Sequence, residues 1–154
     1  MTPAIDQLKK LGIAHSLHEY THDASAASYG LEAATKLGVN ADIVFKTLVV
    51  ETHTHTLAVA VLPVGHQLNL KRMAKAIGAK KVSMANPTAV SRSSGYVLGG
   101  VSPLGQKRPL PTVIDESALS HKSMYVSGGH RGLELELAAQ DLASATKATF
   151  AGLT

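Results

Sequence analysis

Apolar positions recur along the chain with two periods, and the helix-like stretches end at glycines. Residues 2–12 combine a Thr-Pro cap, apolar residues at helical spacing and a closing glycine, which predicts a first helix. The same signals predict helices over 28–38 and 69–78. Asn86-Pro87 begins a further short helix, and residues 138–146 form the last one.

Between these helices lie runs that are β-branched or that alternate apolar and polar residues, which predict strands. The runs are 15–20, 44–51, 57–62, 81–84, 112–115, 123–127 and 133–137. The last run alternates strictly and is therefore typical of a strand with one buried face. Helices and strands interleave, so we expect an α/β (α+β) fold, a compact mixed sheet with flanking helices, in a single domain over residues 1–154.

Composition narrows the possible chemistry. The chain has no cysteine, which excludes disulfides, thiolate catalysis and cysteine-ligated zinc. The start of the chain has no basic segment followed by an apolar one, so no signal peptide is expected. The longest apolar stretch, 56–64, is too short to cross a bilayer. We therefore expect a cytoplasmic protein with no membrane partner.

The charge balance is mildly basic, with a formal net charge of +4 and a sequence pI near 9.4. Such a balance suits a protein with one face that meets a polyanion, although an incidentally basic surface has the same balance. The cations that we predict to contact nucleic-acid phosphates are Lys71, Arg72, Lys75, Lys80, Lys107, Arg108 and Arg131. No aromatic RNP-type motif is present, so base stacking in the manner of an RRM is not expected.

Histidines and serines do not form a familiar catalytic motif. His53 and His55 share a face at a hairpin tip, but sequence gives them no third ligand, and we favour a solvated turn over a metal site. There is no G-x-S-x-G elbow, P-loop or G-x-G-x-x-G fingerprint. Ser102 and Ser127 instead lie in glycine-bracketed loops. Each loop could be a tight turn, but two of them favour a pocket lined by backbone N–H groups.

Lys46 is the most informative single residue, because it lies in an apolar run that otherwise suits a buried strand. Lysine is rarely buried without a partner. It could face solvent from an edge strand. Alternatively, it could hold a phosphate, a ribose oxygen or a developing oxyanion.

Longer ordered matches run through the whole chain. They are Met1-Thr2-Pro3-Ala4, Phe45-Lys46-Thr47-Leu48, Gly99-Gly100-Val101-Ser102-Pro103-Leu104-Gly105 and Tyr125-Val126-Ser127-Gly128-Gly129. In these runs the sequence resembles the YbaK family of free-standing Cys-tRNA(Pro) deacylases. The resemblance implies the YbaK/prolyl-tRNA synthetase editing-domain fold and hydrolysis of mischarged aminoacyl-tRNA, with Cys-tRNA(Pro) as the expected substrate. It also implies a mechanism in which the substrate thiol attacks its own ester, without metal or cofactor.

The resemblance assigns roles to individual residues. Lys46 corresponds to the family lysine and is expected to be catalytic. The expected substrate-binding residues are Tyr20, Thr47, Gly99, Gly100, Val101, Ser102, Ser127, Gly128 and Gly129. The expected partners are tRNA(Pro), rather than DNA, and prolyl-tRNA synthetase in a transient complex. Two alternatives stay open, namely a deacylase for another small amino acid such as alanine, and a non-catalytic module that binds tRNA or a synthetase.

Three positions depart from the family pattern. His130 stands where relatives often carry Lys or Arg, and Arg108-Pro109 replaces a more basic pair, which together lower the positive charge available for tRNA. Glu134 occupies a position that is commonly Asp, which keeps the charge and adds a methylene. Sequence alone gives Glu134 no role.

Overall fold

The structure is a computed structural model and describes residues 1–26 and 28–154. The helices are α1 (Pro3–Leu11), α2 (Tyr29–Leu37), α3 (Leu70–Ile77), α4 (Pro87–Ser94) and α5 (Ala139–Thr146). The strands are β1 (Ser16–Glu19), β2 (Phe45–Thr52), β3 (Leu57–Pro63), β4 (Val82–Met84), β5 (Thr112–Asp115), β6 (Met124–Ser127), β7 (Leu133–Leu137) and β8 (Thr149–Ala151). Short 3₁₀ turns occupy Ala41–Ile43 and Glu116–Ser120.

The helix boundaries follow the capping chemistry of the sequence. Thr2, Ser28, Asn69 and Asn86 each accept a backbone N–H at the start of a helix, and each of these four helices ends at a glycine in the left-handed conformation. The predictions are therefore confirmed at both ends for the first three helices and at the start for the fourth. α5 differs, because it has no side-chain cap at its start and ends at Lys147 with a φ of 56°.

The strands form two sheets. The larger sheet has the order β4-β2-β3-β5-β8 and is mixed: β2 pairs antiparallel with β3 and β4, whereas β5 runs parallel to β3 and β8 parallel to β5. The smaller sheet, β1-β7-β6, is antiparallel. The expected mixed sheet is thus confirmed. The sequence did not indicate β8 or the division into two sheets, because both depend on long-range pairing.

Strand β2 separates two apolar clusters. Phe45 and Val49 point into the cluster that joins the two sheets with α1 and α5. Val50 packs on the opposite face, against α3 through Met73 and Ala74. This alternation fixes which side of β2 each residue occupies. Within the described residues, no helix is long and apolar enough to span a membrane.

Candidate active site

A cavity of about 510 Å³ opens beside the first half of β2. Its wall is formed by residues 45–49 of β2, the start of α2, the loop around Gly99, the end of β6 and residues of the β6–β7 connection. The predicted site residues in its lining are Tyr20, Lys46, Thr47, Gly99, Val101, Ser127 and Arg131. A volume of this size suits a small organic group rather than a polymer.

Lys46 contributes a positive charge that has no partner among the residues described. Its ammonium forms no ion pair or hydrogen bond with any residue that the structure describes. Burial lowers the pKa of the Lys46 ammonium below its usual value. An unpaired cation in a cavity wall can bind a phosphate, a ribose oxygen or a developing oxyanion.

Glu134 contributes a buried carboxyl group to the same cavity. It lies in β7, opposite Ser127 of β6, and only 7% of the residue is exposed. Burial raises the pKa of the Glu134 carboxyl to about 8, and among the residues described its carboxylate accepts no hydrogen bond. The strict alternation of residues 133–137 predicts a polar face in solvent. At Glu134 that prediction is wrong, because β7 is the central strand of its sheet and this carboxylate faces the cavity.

Four side chains at the edge of the cavity contact one another, and we define them as the rim: Tyr29 and Arg131, which line the cavity, and His22 and Glu32, which lie behind them. The guanidinium carbon of Arg131 lies 3.7 Å from the centre of the Tyr29 ring. His22 links Arg131 to Glu32: its Nδ1 lies 2.7 Å from the Glu32 carboxylate and its Nε2 lies 3.4 Å from Arg131 Nη1. His22 therefore bridges the Arg131 guanidinium and the Glu32 carboxylate.

Two glycine loops form one continuous wall, braced by the N-terminal segment. A Cβ on Gly100 would lie 2.8 Å from His130 Cα, so only glycine permits the loops to touch here. Thr2 Oγ1 donates to the carbonyl oxygen of Gly128 at 2.5 Å. Gly105 N donates to Gln7 Oε1 at 2.6 Å. Thr2 and Gln7 of the N-terminal segment therefore position both loops.

Comparisons with known proteins show the family of the chain. The family model described as an aminoacyl-tRNA editing domain matches residues 24–145. The chain belongs to the aminoacyl-tRNA editing family. The expected enzyme class, an aminoacyl-tRNA deacylase, is confirmed with it.

Individual relatives agree with this membership. EbsC of Enterococcus faecalis, named as a Cys-tRNA(Pro)/Cys-tRNA(Cys) deacylase, is 40% identical over 121 residues, which cover 79% of this chain and 74% of EbsC. Hypothetical protein APE2540 superimposes with a TM-score of 0.88 at 28% identity, over 99% of both chains. A structure described as a trans-editing enzyme for prolyl-tRNA synthetase has a TM-score of 0.84 at 24% identity, over 100% of this chain and 98% of that one, and shows the shared fold.

Not all predicted substrate residues reach the cavity of the editing domain. Gly100, Ser102, Gly128 and Gly129 lie behind its lining. Ser102 is fully buried, and its hydroxyl accepts from Leu104 N at 3.2 Å, so this side chain holds the loop together. Gly129 N donates to Ser127 Oγ at 3.2 Å. In the structure, these four residues shape the wall and leave the contact surface to their neighbours.

The predicted tRNA-binding cations of the editing domain occupy separate places. Lys71, Lys75 and Lys80 line a second groove of about 710 Å³ between α3 and β4, where Lys81 joins them. Arg72 is exposed on the same helix, and Lys107 and Arg108 are exposed beyond α4. Arg131 lies apart from them in the cavity rim.

Sequence reasoning missed Tyr29, His22 and Glu32 as parts of the site. Glu32 follows the cap of α2 by four residues, where an acidic residue is expected for the helix dipole alone. The signal for a larger role was its combination with Lys36 one turn later and a histidine ten residues earlier in the chain. That signal is too common on surfaces to identify a cavity rim.

Proposed function

We propose that this enzyme removes cysteine from mischarged Cys-tRNA(Pro), by a mechanism that uses the substrate's own thiol and requires no metal. The observation that carries the proposal is a pair of groups in one small cavity, the cation of Lys46 and the buried carboxyl of Glu134, neither of which has a partner in the described part of the chain. An aminoacyl ester combines a carbonyl that gains negative charge with an α-ammonium. The two side chains are complementary to these two groups.

The chemistry needs positioning more than a protein nucleophile. In the proposed reaction, the thiol sulfur bonds to the carbonyl carbon while the bond from that carbon to the ribose oxygen breaks. The thiol proton passes to the ribose oxygen, which releases tRNA and a cysteine thiolactone that water then opens. Lys46 stabilises the negative charge on the carbonyl oxygen, and the Glu134 carboxyl, which ionises when the substrate's ammonium lies beside it, holds the α-ammonium. Ser127 and Gly99 close the opposite wall.

The relatives support the choice of substrate. EbsC is named for Cys-tRNA(Pro) and Cys-tRNA(Cys), and we extend the first of these to the present chain. The structural neighbour is described as acting for prolyl-tRNA synthetase. We propose that the enzyme works in the cytoplasm in a transient complex with prolyl-tRNA synthetase, while the lysines of the α3 groove contact tRNA phosphates.

The deciding experiment is single-turnover deacylation of Cys-, Ala- and Ser-tRNA(Pro) by the wild-type enzyme. The proposal expects rapid loss of the Cys ester and slow loss of the other two, because only cysteine carries the attacking thiol. Loss of Ala-tRNA instead would make the protein an alanine deacylase. Equal loss of all three would exclude the thiol-assisted mechanism. If no ester is lost while tRNA still binds, the protein is a binding module.

A further inference from the structure

The edge of β2 that borders the cavity contains an unfilled position for one strand residue. Strand β4 pairs with β2 only at Val50–Thr52, and beyond it Ala85 N donates to Val49 O at 3.0 Å. From the other end, Tyr125 of β6 forms an isolated parallel bridge with Val44. Between these two contacts, no described strand residue pairs with residues 46–48 of β2 on the side away from β3, although the end of β6 lies close by.

The register of the β2–β3 pair shows which backbone groups face this gap. Val64 N donates to Val44 O and Thr52 N donates to Thr56 O, so the even-numbered residues of β2 exchange hydrogen bonds with β3. The N–H and C=O of the odd-numbered residues point the other way. Thr47 is the odd residue at the centre of the gap, and its N–H and C=O therefore face the cavity.

The gap has room for one hydrogen-bonded residue pair, because the chain cannot extend β4 further along β2. The chain leaves β4 at Asn86-Pro87, where Asn86 caps α4 and Pro87 begins it. Proline has no N–H, so it could not continue the ladder opposite Thr47. Phe45 and Val49 are the odd-numbered residues of β2 that flank the gap, and Thr47 is the one between them. One amino-acid residue opposite Thr47 would therefore complete the ladder.

We propose that the aminoacyl group of the substrate fills this gap as one residue of an antiparallel strand, its carbonyl oxygen accepting from Thr47 N–H and its α-amino group donating to Thr47 C=O. The proposal rests on the deacylase function proposed above and adds how the enzyme binds the amino acid of its substrate. In an antiparallel ladder, a hydrogen-bonded pair exchanges both bonds between two residues, and an aminoacyl ester carries both required groups on one residue. The α-ammonium keeps further hydrogens for Glu134.

The same geometry fixes where the substrate side chain goes. Opposed residues of an antiparallel pair place their side chains on the same face of the sheet. The side chain of an L-amino acid would therefore lie beside that of Thr47, on the face that carries Phe45 and Val49. Here the hydroxyl of Thr47 is buried and has no hydrogen-bond partner among the described residues. Because this oxygen is almost inaccessible, a thiol can hydrogen-bond to it only if the Thr47 side chain rotates about χ1.

The first test reads the Thr47 amide directly in the wild-type enzyme. A stable probe, 3′-deoxy-3′-(L-cysteinylamino)adenosine, replaces the ester with an amide. On titration, we expect the Thr47 amide proton to shift downfield by several tenths of a ppm and to exchange at least about tenfold more slowly. The amide of Glu51, already paired with β4, should barely move. If other cavity amides shift while Thr47 does not, the strand-edge position is wrong.

The second test uses three variants and a mirror-image probe. Thr47→Pro removes the N–H at an edge position where proline is tolerated, and should lower kcat/KM for Cys-tRNA at least about tenfold. Thr47→Ala keeps the backbone and should mainly weaken the preference for the cysteinyl over the alanyl probe, whereas Thr47→Ser should restore it. The D-cysteinyl probe should bind at least about tenfold more weakly than the L-form, because its side chain would point to the Lys46 face.

The outcomes separate this inference from the function on which it rests. If the enzyme deacylates Cys-tRNA but the Thr47 amide stays unchanged with bound probe, only the strand-edge position fails. Equal binding of the L- and D-probes would overturn it in the same way. If wild-type enzyme neither deacylates Cys-tRNA nor binds the probe, the proposed function and the strand-edge position fail together.

Discussion

Two buried glutamates, Glu32 in the rim and Glu134 in the cavity lining, have carboxyl pKa values shifted in opposite directions. At Glu32, burial raises the carboxyl pKa, but hydrogen bonds from Asp23 N, His22 and Lys36 outweigh it, so the pKa lies below its usual value. At Glu134, burial acts without a partner and raises the pKa to about 8. A glutamate carboxyl thus has hydrogen-bond partners at the rim, where it is Glu32. In the interior, where it is Glu134, it has none among the described residues.

This difference extends to the other polar groups of the site. The rim residues satisfy one another, whereas Lys46, the Thr47 hydroxyl and Glu134 have no partner among the residues described. A buried polar group without a hydrogen bond destabilises the folded state by about 1–3 kcal/mol. The interior groups therefore reduce stability, and a substrate that pairs with them recovers the missing interactions. We infer that the rim maintains the shape of the cavity and the interior supplies its chemistry.

The largest expected effect is on the pH dependence of stability at Glu134. A carboxyl whose folded pKa is about 8, above its unfolded value of 4.5, binds more protons in the folded state. The folded state is therefore favoured at acid pH and loses stability as pH rises from the unfolded to the folded pKa. Across that window the loss is on the order of 5 kcal/mol. Urea unfolding at about pH 5 and about pH 9 should show this loss in wild type and not in Glu134→Gln.

Glu136 provides the matched control in the same strand. A hydrogen bond from Ser123 is the main cause that holds the pKa of the Glu136 carboxyl below its usual value, and His18 adds to it. The sign is reversed, so Glu136→Gln should remove stability above the unfolded pKa and leave the alkaline loss of the wild type in place. If Glu134→Gln retains the full alkaline loss, the unpaired state of Glu134 is refuted.

The second effect separates activity from stability at Lys46. Lys46→Met removes a cation that has no ion pair among the described residues, so the melting temperature should stay the same or rise. Single-turnover deacylation of Cys-tRNA(Pro) should fall about 100-fold, as expected for the loss of one oxyanion-stabilising group. Unchanged deacylation together with weaker tRNA binding would show that Lys46 holds tRNA and does not act on the ester.

The third effect is a loss of stability with little loss of activity, and it is expected for a variant in the rim. Glu32→Ala removes an acceptor for Asp23 N, His22 and Lys36 at once, and it should lower the melting temperature by several degrees. Because Glu32 does not line the cavity, kcat/KM for the remaining folded enzyme should change less than about tenfold. Glu19→Gln, at an exposed position of β1, is the control. A rim variant that loses activity as strongly as Lys46→Met would remove the distinction between rim and interior.

Local signals in the sequence predicted most helices and strands. The positions of the site residues depend instead on how distant strands pair in the fold. Thr2, Ser28, Asn69 and Asn86 capped the helices as expected, because caps depend on adjacent residues. Lys46 was identifiable as a charge in an apolar run. The burial of Glu134 was not, because alternation gives a strand two faces without saying what covers each one. The gap at Thr47 depends on where β4 and β6 stop along β2, and no local pattern specifies this.

The smallest expected effect lies outside the cavity, on the groove that Lys71, Lys75, Lys80 and Lys81 line. The double variant Lys71→Ala/Lys75→Ala removes two cations from one face of α3. It should weaken tRNA binding about tenfold and lower the slope of log K against log salt by about two, because each lysine would neutralise about one phosphate. A second double variant, Lys10→Ala/Lys122→Ala, makes the same charge change at exposed positions elsewhere and controls for net charge.

Binding of the cysteinylamino-adenosine probe should be equal in both variants, because the probe carries no phosphate and reaches the cavity alone. If the two double variants lose tRNA affinity equally, the basic groove contributes only general surface charge, and the cavity has to supply the specific recognition of the substrate.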